Sequence, residues 1–210
     1  MLRVAVARVV DASRDGQSAA SRALVRELLQ AATGVPASAW HVSAPAGVAP
    51  VARAEPGTRA GPVHVSLSHR LGWVAAAVSN APVGIDLEVE RAARSDATER
   101  AALMLSPAEL HAWSALPLPE RERALLTLWT AKEAWYKAAP PDAVPWDFRR
   151  IAARPCRPDD AAFNVRTWTS PPLHLAVCCA DARALDAAGC AGLAPTSAAS
   201  WHLHRVSPIH

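Results

Sequence analysis

No apolar run in the sequence approaches the roughly 20 residues that a membrane-spanning helix requires, so no helical span and no membrane partner are expected. No Cys-x-x-Cys pair occurs either. The four cysteines stand at Cys156, Cys178, Cys179 and Cys190. Neighbouring cysteines on a strand face opposite ways, so structural zinc is not expected and buried reduced thiols are. A large excess of one sign of charge is lacking too: the formal net charge is only +3. The arginines are scattered and no helix-turn-helix or RNA-binding signature is present, which argues against nucleic acid as a partner. There is no Gly-x-Ser-x-Gly elbow, so a serine nucleophile of that kind is not expected. The opening residues 1–10 alternate like a strand and carry no export-cleavage signature, which makes the cytoplasm the expected location.

What remains is a chain of 210 residues, long enough for one domain or two small joined halves with an apolar core. Abundant alanine and 18 prolines predict short elements joined by stiff turns. The pattern predicts a strand over residues 2–10, a helix over 18–32, and a Pro- and Ala-rich connection over 35–62. Strands follow over 63–68, 73–79 and 83–90, separated by turn signals at Arg70-Leu71-Gly72 and Asn80-Ala81-Pro82. A short helix is expected near 98–105. Another starts at Pro107, where Ser106-Pro107-Ala108-Glu109 reads as a capping box. A long helix over 119–138 ends at Pro140-Pro141, and strands return over 163–169, 173–179 and 201–206. The order helix, long connection, strand, short turn, strand occurs twice. It predicts an α+β fold of two similar α+β halves packed face to face, with a ligand site at their junction.

Three constellations carry chemistry. In Val83-Gly84-Ile85-Asp86-Leu87-Glu88, positions two apart share a face, so Asp86 and Glu88 project together while Ile85 and Leu87 turn to a core. Paired carboxylates repel unless a cation or proton intervenes, and hard oxygen donors suit magnesium. The alternative is a solvated acidic face on an edge strand, continued by Glu90. In Trp129-Thr130-Ala131-Lys132-Glu133-Ala134-Trp135-Tyr136-Lys137, Glu133 and Lys137 are helical neighbours four apart. Leu125, Leu128, Trp129 and Trp135 would seat that helix. Glu133 and Lys137 then read either as a surface ion pair or as a metal ligand and a phosphate-binding amine. Lys132 points elsewhere, toward another part of a ligand or toward solvent. In Val65-Ser66-Leu67-Ser68-His69, the strand end offers a place for a phosphate, or ordinary turn chemistry. Ser68 and His69 do not pair as nucleophile and base, because adjacent strand residues face opposite sides.

Taken together, Ser-x-Ser-His, Gly-Ile-Asp-Leu-Glu and Trp-Thr-Ala-Lys-Glu-Ala-Trp-Tyr-Lys resemble the signature of the 4'-phosphopantetheinyl transferase superfamily. The chain is most similar to its Sfp-type branch, in which one polypeptide holds two pseudo-symmetric halves; the clear match spans about residues 63–138. The resemblance implies the phosphopantetheinyl transferase fold, with halves at residues 1–84 and 85–210 related by a pseudo-two-fold. It implies magnesium on Asp86, Glu88 and Glu133, and coenzyme A phosphates on Lys137. It assigns the nucleotide end of coenzyme A to Ser68, His69, Arg22 and Arg53. Two departures stand out: Ser66 occupies a place where the family usually has Asn, and Ala52-Arg53-Ala54 replaces the usual Gly-Lys/Arg-Pro.

The implied activity transfers phosphopantetheine from coenzyme A to a serine of an acyl or peptidyl carrier protein, as a holo-[acyl-carrier-protein] synthase does. Asp86, Glu133 and Lys137 would be its catalytic residues, with Glu133 as the base. Arg91, Arg94 and Arg100 are candidates for steering an acidic carrier, and Met104 and Leu105 for touching it; ordinary surface and core roles are the alternative. A monomer is expected, since both halves lie in one chain. Two rival readings are a non-catalytic coenzyme A- or carrier-binding module and a metal-dependent phosphohydrolase using Asp86 and Glu88. Retention of all three acids plus Lys137 speaks against the first, and the lack of a further His or Asp cluster against the second.

Overall fold

Alternation along the first residues forms β1 (Leu2–Arg8), whose Val4 and Val6 are buried. In the computed structural model, which describes residues 1–45, 47–91, 96–140, 147–157, 163–192 and 200–209, β1 pairs antiparallel with β5 (Trp73–Ser79). β5 pairs in turn with β4 (His64–Arg70) through the tight turn at Leu71-Gly72. Both turn residues have positive φ, 49° and 79°, the mirror-type geometry that matches the twist of a two-residue hairpin. A short strand, β10 (Cys190–Ala191), adds parallel to the far side of β1.

A second, five-stranded antiparallel sheet runs in the order β6 (Val83–Val89), β9 (Leu173–Cys179), β8 (Val165–Ser170), β11 (Ser200–Pro208), β7 (Ile151–Cys156). The inner faces of the two sheets meet: Val4, Val6, Ala75 and Ala77 pack with Ile85, Leu87, Leu175, Val177 and Leu203. Each outer face carries one long helix. α1 (Arg14–Thr33) covers the first sheet through Val25, Leu28 and Leu29 against Ala5, Ala76 and Val78. The second sheet is covered by α4 (Leu118–Ala138), through Ala131 and Ala134 against Ala176 and Cys178. The chain is therefore an α+β fold in four layers, helix–sheet–sheet–helix. Cys178 faces α4 while Cys179 joins the inter-sheet core, the opposite orientation that strand geometry demands; none of the four cysteines forms a disulfide.

Local signals explain most boundaries. α1 begins earlier than its apolar periodicity alone suggests, because Ser13 caps it, with its Oγ accepting the Gly16 amide. It stops at Gly34, which takes the left-handed conformation with φ 75°. The connection over 35–62 is more structured than its composition predicts. It holds a short hairpin, β2 (Trp40–Ser43) and β3 (Val51–Ala54), whose Trp40 and Val42 bury against α1. The sequence pattern does not predict β7 either; it is recruited by pairing with the last strand.

Two short helices, α2 (Ala97–Met104) and α3 (Pro107–Ser114), pack on the first half of α4 through Ala101, Leu105, Trp113 and Leu125. The capping box at α3 forms as expected: Ser106 Oγ accepts the Glu109 amide, and Glu109 Oε2 accepts the Ser106 amide at 2.8 Å. A last short helix, α5 (Ala182–Asp186), is capped by Asp181. Among the described residues, no helix is long and apolar enough to cross a membrane.

α4 lies unusually close to β6. A Cβ at Gly84 would collide with the Ala134 carbonyl oxygen and the Ala138 amide nitrogen, so only glycine permits this approach.

Candidate active site

The edges of the two sheets, β4 and β6, run side by side without joining into one ladder. Serine hydroxyls make the connection instead. Ser66 Oγ accepts the Ile85 amide at 3.0 Å, and Ser68 Oγ accepts the Leu87 amide at 3.2 Å. Ser68 also donates to Asp86 Oδ1 at 3.0 Å. Both serines sit on the face of β4 that looks toward β6, as residues two apart must. The alternation on β6 is as expected, with Ile85 and Leu87 in the core and Asp86 and Glu88 on the α4 side.

Close approach at Gly84 brings the last turns of α4 over this strand. Lys137 Nζ donates to Asp86 Oδ1 at 2.7 Å and to the Ile85 carbonyl at 3.1 Å. Asp86 Oδ1 therefore has two donors. Its other oxygen, Oδ2, is buried with no hydrogen-bond partner, and the residue is 6% exposed. Glu88 is held by Arg70 at 3.1 Å. Burial raises the Glu88 carboxyl, with Asp86 adding to the effect and Arg70 opposing it. Glu133 is pushed up to about 7, first by burial and then by Asp86, with Lys137 opposing and Glu88 reinforcing. Helix and strand thus bring Asp86, Glu88, Glu133 and Lys137 into one electrostatic unit.

This donor set fits a hard divalent cation. A buried carboxylate oxygen without a partner costs free energy unless something positive meets it, and two neighbouring carboxyls are held above their ordinary range by burial first and by the Asp86 charge second. The three acids do not close into a preassembled cluster: among the described residues, no group of three His, Cys, Asp or Glu side chains stands ready for a metal. Lys137 and Arg70 occupy part of the carboxylate capacity instead.

His69 faces the other side of β4 from Ser68. Burial, Lys137 and Arg14 lower its affinity for a proton, in that order. Arg14, the first residue of α1, is thus a cation of this region that the sequence pattern does not single out. Arg70 is another; it extends the alternation Ser66, Ser68, Arg70 by one step, which is the signal that could have found it. Arg22 lies on α1 and donates to Ser18 one turn back. Arg53 lies exposed on β3, opposite His41. Among the described residues, neither arginine shares a hydrogen bond or ion pair with the carboxylates.

Several expectations need correction. Lys132 reaches neither ligand nor solvent: it is 0% exposed, and its ammonium donates to Glu109, the Met104 carbonyl and the Phe148 carbonyl. Glu90 does not extend a solvated acidic face, the alternative reading of this strand, because His174 and Arg123 bind it at 2.9 and 3.1 Å. Arg100 is tied to Glu122 at 2.9 Å, and Leu105 is 1% exposed and belongs to the core. Neither is available to a carrier. Met104 is half-buried against the same cluster, Arg91 is exposed, and Arg94 lies outside the described residues.

A family model described as the 4'-phosphopantetheinyl transferase superfamily matches residues 82–188, just over half of the chain. The chain belongs to the 4'-phosphopantetheinyl transferase superfamily. Transferases of this superfamily move phosphopantetheine from coenzyme A to carrier proteins. The matched span includes β6 and α4, hence Asp86, Glu88, Glu133 and Lys137, and leaves out Ser68, His69, Arg22 and Arg53. No curated protein matches the chain.

Proposed function

We propose that the chain is a magnesium-dependent, Sfp-type 4'-phosphopantetheinyl transferase with halves at residues 1–84 and 85–210, converting an apo acyl or peptidyl carrier protein to its holo form. The observation that carries this reading is the convergence of Asp86 and Glu88 on β6 with Glu133 and Lys137 on α4, at the junction of the two sheets.

Asp86, Glu88 and Glu133 would hold magnesium, with Asp86 Oδ2 the oxygen most in need of it. When bound, the ion would offset charge on the phosphate oxygens of coenzyme A as the acceptor attacks. The chain's own residues do the rest. Lys137 supplies a fixed positive charge for the same phosphates, worth most in a partly buried site. Its link to the Ile85 carbonyl and Asp86 holds it in place before substrate arrives.

The carrier serine oxygen forms a bond to the β-phosphorus of coenzyme A. The bond from that phosphorus to the bridging oxygen breaks, and adenosine 3',5'-bisphosphate leaves with the electron pair. Glu133 takes the serine proton, directly or through a water. Without the ion the Glu133 carboxyl sits near 7; a bound cation would lower it and keep the carboxylate ionised, the form that accepts a proton.

Of the residues assigned to the nucleotide end, His69 has the firmest support, since Arg14 and Lys137 act on it and form a cationic surround for a phosphate. The Ser68 hydroxyl is committed to β6, so Ser68 serves that end mainly through its place in the strand. Arg22 and Arg53 rest on the motif resemblance.

The test is to incubate the protein with an apo-carrier, coenzyme A and magnesium, then weigh the carrier by mass spectrometry. The expected result is one added phosphopantetheine, with none when the metal is chelated. An unmodified carrier with intact coenzyme A would mean a binding module. Loss of coenzyme A without a carrier would mean a hydrolase.

A further inference from the structure

We propose that the two buried serines of β4 form a hydroxyl stitch that sets the Asp86 carboxylate, and that Ser66 is a positioning residue for cation binding although it touches neither cation nor substrate. The inference rests on the metal-site reading above and goes beyond it by adding a residue outside the ligand set.

The geometry starts from two edge strands that cannot pair by backbone alone. The outer edge of β6 would leave the amides of Ile85 and Leu87 buried and unsatisfied, a costly arrangement. Ser66 meets the first amide and Ser68 the second. These are the amides on either side of Asp86, so the two hydroxyls fix the backbone that carries the carboxylate. Ser68 then spends its single proton on Asp86 Oδ1. Lys137 donates to the same oxygen. The carboxylate is held by one oxygen, and the other is left without a partner.

Ser66 matters because Ser68 cannot do this alone. β9 holds one edge of β6 along its length, but Ser68 alone would tie the other edge only on the far side of Asp86. Two hydroxyls on alternate residues define a direction. A serine where the family motif usually carries Asn is therefore suited to its place: the short side chain puts its oxygen on the neighbouring strand, and Ser66 is only 3% exposed. Partners of this kind, which orient a ligand without binding the ion, are a common determinant of metal affinity.

The experiment measures binding of manganese(II), as a paramagnetic stand-in for magnesium, to the full chain by electron paramagnetic resonance, with no coenzyme A and no carrier present. Ser66→Ala removes the acceptor, and Ser66→Cys keeps the shape with a poorer acceptor. Ser79→Ala is the control. Ser79 is an equally buried serine of the same sheet, bonded to the Ala81 amide and facing Cys179, with no contact to the carboxylates.

The expected result is a loss of affinity of about tenfold for Ser66→Ala, the lower end of the range for removing a ligand-orienting partner, and a smaller loss for Ser66→Cys. Ser79→Ala should lower the melting temperature and leave manganese affinity at the wild-type value. Wild-type affinity in the Ser66 variants would overturn the proposal, and so would an equal loss in Ser79→Ala, which would reduce the effect to general destabilisation. If Ser66→Ala does not fold, Ser66→Cys alone decides. Failure of the underlying reading looks different: the wild-type chain would bind no manganese, or Asp86→Asn would bind it unchanged, and the stitch would then fall with the site.

Discussion

Lys132 and Glu133 are consecutive residues of one helix and both are charged, yet the structure treats them in opposite ways. Lys132 faces α2, α3 and the turn before β7. Three acceptors surround its ammonium, and Glu109 is itself tied to the Ser106 and Ala153 amides. Every charge there is answered from within the protein. Glu133 faces β6, where it meets two more acids and one amine, and no partner completes the balance. A saturated buried charge fixes structure; an unsaturated one waits for something from outside. Residue type and motif membership do not make this distinction, since both belong to the same nine-residue segment. The distinction lies in the neighbours.

The largest test of the contrast is Glu133→Gln. Turnover should fall by about 10⁴-fold, the upper range for loss of a positioned general base, measured as carrier modification by mass spectrometry. Coenzyme A binding should largely survive, and the metal-free protein should melt no lower than wild type, because one of three crowded negative charges is gone. Wild-type turnover would remove Glu133 from the mechanism.

Lys132→Met should do the reverse. It leaves Glu109 as an uncompensated buried charge, so stability should drop by about 3–5 kcal/mol in urea unfolding. A shift in turnover per folded molecule as large as that of Glu133→Gln would break the comparison.

A third test uses another buried group without a full set of partners. His204 bonds to Thr167 through Nε2, while its Nδ1 has no partner. Burial, with a smaller push from His202, drops it to about 4. The unfolded chain takes this proton near 6.5 and the folded chain refuses it, so the contribution is intact above 6.5. It is lost as pH falls toward 4, by about 3 kcal/mol in all. The acid limb of the stability curve should be shallower in His204→Asn than in wild type. An identical slope would show that the imidazole takes its proton in the folded state.

The smallest effects belong to arginines away from the site. Arg100→Gln breaks the pair with Glu122 and should cost up to about 1 kcal/mol of stability. The salt dependence of the carrier KM should stay as it was. If carriers are steered by charge, Arg91→Gln should weaken that dependence instead.

Much of the site was legible because it rests on short periods. Asp86 and Glu88 share a strand face, Glu133 and Lys137 share a helix face, and Ser106 with Glu109 closes a capping box; each needs only local geometry. What could not be read depends on residues far apart in the chain. Lys132 is enclosed by Met104, Glu109 and Phe148, and nothing around position 132 announces that three acceptors will arrive there. Arg100 looks like a free surface cation until Glu122, from a later helix, meets it. Ser66 looks like a lapse from the family motif; the hydrogen bond that gives it meaning joins two strands of different sheets. β7 escapes the pattern for the same reason, since its strand character comes from β11 alongside.

Gly84 has a consequence beyond the packing of α4. Because it lacks a side chain, the helix sits against the strand, and that nearness both buries Glu133 and sets it beside the acids of β6; burial first and their charge second hold it near 7. A single methyl group at this position would act as a wedge, opening the span that an ion must bridge. The gap between the charges is thus set by an atom the chain does not have.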